Sequence, residues 1–180
     1  MTWRGISRSV GINPASLYTY FDSLDDVFTA LIADSFERLG SAIQKTAKAA
    51  PDSSPLERVT DLALAYRQWA VEHPAEFNLI FSDQLPGYAA PPDGPTVAAQ
   101  TSIFGPFAVA LAELMGIDPS EVEHESGPPP LPDDAASFVG LWGTMHGMVM
   151  LEINNHLPFL DNHEAVFVET MERALSGWQA

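Results

Sequence analysis

The chain has 180 residues, 46% of them apolar and none of them cysteine, enough for one sizeable core or for one small and one larger helical unit. Without cysteine it holds no disulfide and no thiolate metal site; no run reaches the roughly 18 apolar residues of a bilayer span, and no basic-then-apolar leader opens the sequence, so a cytoplasmic protein with no membrane partner is expected. The net charge of −16 argues against nucleic acid as a sum, but residues 1–48 carry five basic and five acidic groups, while residues 49–180 carry the remaining three basic and nineteen acidic groups: a neutral head on an acidic body.

Residues 3–10 read as a short helix that Gly11 breaks. Asn13 suits an N-cap and Pro14 the first position of a second short helix over 14–20. Leu17 and Phe21 share its inner face, and Ser16, Thr19 and Tyr20 face outward. Two short helices around a glycine-containing turn follow the helix-turn-helix plan, whose second helix enters the DNA major groove. Ser23 can cap a long third helix, with Asp25 and Asp26 in its first turn, running to about Ala49. Ser54-Pro55-Leu56-Glu57 is a capping box ahead of a stripe that includes Val59, Leu62, Tyr66 and Trp69. His73-Pro74 ends that helix, and a short one over 75–81 follows. Residues 86–95 are a loop by composition, and 96–115 regain helical period, kinked or split at Pro106. Residues 116–134 are irregular, and Pro129 and Pro132 within them read as a stiff linker rather than a docking motif. An apolar helix over 134–155 and a last one capped within 161–164 complete eight or nine helices, with no strand pattern, so the fold class is all-α.

Ser9 to Phe21, and Leu17-Tyr18-x-Tyr20-Phe21 above all, ahead of a long amphipathic helix, resemble the DNA-binding end of tetracycline-repressor-like (TetR) transcriptional regulators. The resemblance implies a helix-turn-helix head with its connecting helix over 1–48 and a ligand-binding and dimerisation domain over 49–180. It places Asn13, Pro14, Ala15, Ser16, Tyr18, Thr19 and Tyr20 against bases and phosphates, and Thr2 and Arg4 at phosphate positions. Two departures stand out. Leu24, among Asp22, Asp25 and Asp26, occupies a place where the family often has a phosphate-gripping lysine, and the helix that braces the family's two reading helices is not found ahead of Thr2. An upstream start of the chain is the expected explanation.

Trp142-Gly143-Thr144-Met145-His146-Gly147 resembles a Trp-x-x-x-His-Gly pattern in the C-terminal domain of one TetR subgroup. Gly140, Gly143 and Gly147 share one helix face, and three glycines at about 1 kcal/mol each against alanine suggest close approach of a partner helix. A homodimer is expected, through these glycines and Phe167, Met171, Leu175 and Trp178 of the last helix. Trp69, Phe77, Phe81, Phe104, Phe107, Met115, Trp142, Met145 and His146 are the candidate lining of a pocket for a small apolar effector, with Thr144 or Asn155 joining His146 as its polar groups. Glu152 and His156 sit at i, i+4, but no second pair at ligand spacing supports a metal. With no GxSxG, P-loop or HExxH, neither enzymatic activity nor a cofactor is expected. The reading is a ligand-responsive DNA-binding regulator, a repressor released from a double-stranded, palindromic operator. The alternative is a helical dimeric binding module whose DNA head has degenerated.

Overall fold

A computed structural model describes residues 19–49, 52–82, 88–89, 94–118 and 135–176. Six helices are defined: α1 (Leu24–Ala49), α2 (Pro55–Glu72), α3 (Pro74–Phe81), α4 (Pro95–Leu114), α5 (Ala135–Ile153) and α6 (His163–Leu175). The fold is all-α, with no strand among the described residues. Thr19 and Tyr20 are helical too; the short helices expected over 3–10 and 14–20 otherwise lie outside the described residues.

Local chemistry sets where these helices begin. At α1, Ser23 Oγ accepts from the Asp26 backbone N–H at 3.1 Å, and Asp26 Oδ2 accepts from the Ser23 N–H at 2.9 Å. The same reciprocal box starts α2, with Glu57 Oε2 taking the Ser54 N–H at 2.8 Å. Hydrogen bonds from Ser54 hold the Glu57 carboxyl below its ordinary pKa. Pro55, Pro74 and Pro95 open α2, α3 and α4, each where a missing N–H costs nothing. Asn162 Oδ1 caps α6 by accepting from Ala165 N–H at 3.0 Å. Asn155, at φ 56°, closes α5 in the left-handed region, so that His156 N–H reaches back to Leu151 O at 2.8 Å.

α2 is the central helix, packed against each of the other five. Its buried face, from Val59 through Leu62, Ala63, Tyr66 and Ala70, meets Leu39 and Ile43 of α1, Phe77 of α3, Ile103 of α4, Val149 of α5 and Phe167 and Met171 of α6 in one core. α1 and α4 pack more extensively on each other than any other pair of helices among the described residues. A Cβ at Gly40 would stand 1.9 Å from Ser102 Oγ and 2.9 Å from Ser102 Cβ, so glycine is what lets α4 come this close. Pro106 does not split α4: the helix runs unbroken through it. Its ring removes the hydrogen bond to the carbonyl four residues back, that of Ser102, but Ile103, Phe107, Ala110 and Leu111 bury the same helix on both sides of the gap.

Arg67 ties the far end together. It is 7% exposed and lies between α5 and α6. Its Nε and Nη2 donate to the two oxygens of Glu152 at 2.8 and 2.6 Å, and its Nη1 to Glu164 at 3.1 Å. No helix among the described residues is long and apolar enough to cross a membrane.

Candidate functional site: an apolar cavity beside an aromatic box

Four helices meet around a cavity lined by Val59 of α2, Phe104, Phe107 and Leu111 of α4, Phe138, Leu141, Trp142 and Met145 of α5, and Met171 of α6. Its free volume is about 20 Å³, room for about one water molecule, within a cleft of about 340 Å³ counted out to solvent. A ring-sized molecule would fit there only by displacing side chains, of which Met145 and Met171 are the most yielding.

Trp142 is the wall between this cavity and a second cluster. On one side its ring meets Phe104 edge-on at 4.9 Å; on the other it stacks on His146, at 5.4 Å and 15°. Phe77 stacks on His146 at 5.6 Å and 27°, and Phe81 meets it edge-on at 5.0 Å. Tyr66, fully buried on α2, bonds through its hydroxyl to His146 Nδ1 at 2.9 Å. Burial pushes the Tyr66 phenol well above its ordinary pKa and lowers that of His146. Both groups are thus neutral near pH 7.

Of the residues expected to line a pocket, Phe104, Phe107, Trp142 and Met145 line the cavity. Phe77, Phe81 and His146 form the aromatic box, and Trp69 lies behind Phe77, stacked on His73 at 5.0 Å. Met115 is the residue that ends α4 and does not line the cavity. Of the polar groups expected beside His146 in the pocket, Thr144 donates to Gly140 O and Asn155 closes α5, and neither lines the cavity; the hydrogen-bond partner of His146 is Tyr66, 80 residues upstream. Within the sequence Tyr66 is only one more member of the α2 stripe, and nothing local marks its hydroxyl.

Of the DNA-facing set, Thr2, Arg4, Asn13, Pro14, Ala15, Ser16 and Tyr18 lie outside the described residues; Thr19 and Tyr20 are exposed, Tyr20 at 81%. Of the residues expected at a dimer interface, Gly140 and Gly143 are exposed and Gly147 partly so, and an added Cβ at any of them would meet nothing within 4 Å. Val139 and Leu151, exposed at 58% and 42%, extend that open stripe along α5. Phe167, Met171 and Leu175 point the other way, fully buried in the core of their own chain, because α6 turns its apolar stripe onto α2 and α5. Trp178 lies outside the described residues. Glu152, which spacing paired with His156, commits both oxygens to Arg67. Among the described residues no group of three or more His, Asp or Glu side chains could hold a metal ion.

The described residues form a helical body built round a central helix, with an apolar cavity among four helices and a long helix, α1, that follows the Tyr18–Phe21 signature in sequence. The profile described as "Tetracyclin repressor-like, C-terminal domain" matches residues 59–174, and the chain belongs to that family. It is 29% identical over 134 residues, 74% of its length, to the HTH-type transcriptional regulator Rv1816 of Mycobacterium tuberculosis, and equally to Mb1846 of Mycobacterium bovis. The aligned region spans 57% of those curated relatives. Among solved structures, the "putative regulatory protein SCO4313" superposes with a TM-score of 0.72 at 26% identity, covering 98% of this chain and 85% of that one. The TetR family transcriptional regulator PfmR from Thermus thermophilus superposes at 0.66 with 15% identity, covering 97% and 87%, a likeness of fold.

Proposed function

We propose that the protein is a ligand-responsive, DNA-binding transcriptional regulator, a repressor that a small apolar effector releases from a palindromic operator. The observation that carries this reading is the placement of the cavity. Phe104, Phe107 and Leu111 reach it from α4, and α4 also carries Ser102, the residue held against Gly40 of α1. α1 follows directly on the Tyr18–Phe21 signature. An effector that spreads the collapsed cavity moves α4 and, through that seam, the helix leading to the DNA head. It acts by binding more tightly to the arrangement in which the heads are wrongly spaced for DNA. The boundary between the two functional units falls near residues 48–49, where α1 ends. Dimerisation uses the open α5 face of Val139, Gly140, Gly143, Gly147 and Leu151, which lets a second copy approach closely. Two-fold symmetry then presents two heads to half-sites about 34 Å apart.

The regulator names of the relatives support this reading, as does the neutral head on the acidic body. The test is a gel shift of the full-length protein against the DNA flanking its own gene. A sequence-specific shift that weakens steeply with salt is expected. A protein that dimerises and binds apolar molecules but gives no such shift is the binding module instead, its head degenerate.

A further inference from the structure

α1 is one unbroken helix, but its buried face serves two places. Phe36, Leu39 and Ile43 belong to the core of the body. Nearer the N-terminus Val27 and Phe28 are buried as well, at 6% and 7% exposure, yet they are not members of that core. They lie in the first turn and a half of α1, shortly after the Tyr18–Phe21 signature.

The body meets this end of α1 through Tyr88, which stands in the chain between α3 and α4. Its ring meets Phe28 edge-on at 6.4 Å, and its hydroxyl lies 2.9 Å from Thr29 Oγ1. Hydrogen balance gives that bond a direction. Thr29 Oγ1 donates its one hydrogen to the Asp25 carbonyl at 2.9 Å, so Tyr88 donates and Thr29 accepts.

The two helices on either side of Tyr88 in sequence are the ones that shape the candidate site. α3 carries Phe81, which meets His146 of the aromatic box and also Phe36 of α1, edge-on at 5.7 Å. α4 carries Phe104, Phe107 and Leu111 of the cavity wall, and Ser102 against Gly40. At 1.5 Å per residue, Thr29 lies about 17 Å from Gly40 along the helix. A swing of α1 by about 2° around the Gly40 contact thus displaces Thr29 by about 0.6 Å, which carries a 2.9 Å bond to the limit of hydrogen-bond reach. The bond is therefore selective for one direction of α1.

We propose that Tyr88 is a latch that pins the N-terminal end of α1 to the body. Its hydroxyl bond to Thr29 and its ring on Phe28 hold the direction in which the helix leads to the Tyr18–Phe21 signature. Tyr88 does not line the cavity and is a positioning residue. That the segment so held is a DNA head rests on the regulator reading; the latch itself does not.

The test is backbone amide exchange, followed residue by residue by NMR, on the full chain as wild type, Tyr88→Phe, Thr29→Val and the double variant. Tyr88→Phe keeps the ring and Thr29→Val keeps the branched shape, so each removes little besides the bond. In each single variant the amides of Phe28 to Ala33 are expected to exchange about fivefold faster, as the loss of one neutral hydrogen bond allows, while those of Leu62 to Ala70 in α2 keep their protection. The double variant is expected to exchange no faster than either single one, because the same bond is lost. Unchanged exchange over Phe28 to Ala33 in Tyr88→Phe overturns the latch. So does a double variant about 25-fold faster, in which the two side chains act separately, and so does an equal loss of protection in α2, which marks general loosening. A gel shift against the DNA flanking the gene reads the consequence. Tyr88→Phe is expected to weaken the wild-type shift, because a less constrained head loses more freedom on binding; an equal shift overturns the orienting role. If the wild type itself gives no shift, the regulator reading falls and the exchange pattern alone decides the latch.

Discussion

Tyr66 and His146 form a pair whose balance holds only while the imidazole is neutral. Protonation would place a donor on Nδ1 and leave the buried Tyr66 hydroxyl hydrogen with no acceptor. Burial lowers the His146 pKa from its ordinary 6.5, so just below that value the unfolded chain binds more protons at this residue than the folded chain. Its contribution to stability is therefore complete above about pH 6.5 and declines as pH falls through 6.5 toward the lowered value. The urea midpoint is expected to drop between about pH 7 and 5.5, with a shallower slope in Tyr66→Phe/His146→Phe. An unchanged slope in that double variant would assign the effect to other groups. The sequence marks His146 as a polar group of an apolar helix but does not indicate its partner. Helical periodicity shows which residues share a face; it does not show which atom of a distant helix, 80 positions away, a side chain meets.

The helices themselves are the most readable level. Their starts are written in short-range chemistry: Ser23 with Asp26, Ser54 with Glu57, prolines at 55, 74 and 95, and a cap within 161–164. The observed bounds follow those signals to within a residue or two. At Pro106 a local rule forbids the hydrogen bond and predicts a kink or split, yet tertiary burial on both sides keeps α4 whole. The seam between α1 and α4 leaves a fainter trace, a single glycine within an otherwise regular amphipathic helix. Gly40→Ala is expected to destabilise by about 1–3 kcal/mol, because Ser102 can swing its hydroxyl away but not its Cβ, 2.9 Å from the new methyl. Adding Ser102→Ala should recover only part of that loss. Thermal denaturation of the single and double variants checks this, and a fully neutral Gly40→Ala would show the seam to be looser than it is drawn.

At the scale of the molecule, two features of the sequence point to different faces. The three glycines of α5 signal close approach, and their face is open along the described chain; the last helix signals an apolar stripe, and that stripe is spent on this chain's own core. A hydrophobic stripe looks the same in sequence whichever neighbour covers it, so its assignment needs the fold. The charged groups behave likewise. Arg67 stands in the α2 stripe with nothing local to explain it, and its carboxylates come from α5 and α6. Glu152→Ala leaves that buried guanidinium without its bidentate partner and is expected to cost about 3 kcal/mol or more in urea denaturation. Removing the side chain of Glu164, 62% exposed, should cost under about 1 kcal/mol. Equal losses would mean that the exposed arm carries as much as the buried one.

The Arg67 contacts also reach across 85 and 97 positions of chain. Gathering a loop of that length costs entropy before any bond repays it, so the clamp is expected to form after the folding barrier, and Glu152→Ala to speed unfolding more than it slows refolding in stopped-flow urea jumps. An interaction absent when the folding barrier is crossed lengthens the life of the native state without hastening its formation. On that expectation Arg67 and Glu152 are a brake on unfolding, setting how long the body, once assembled, keeps α5 and α6 in place.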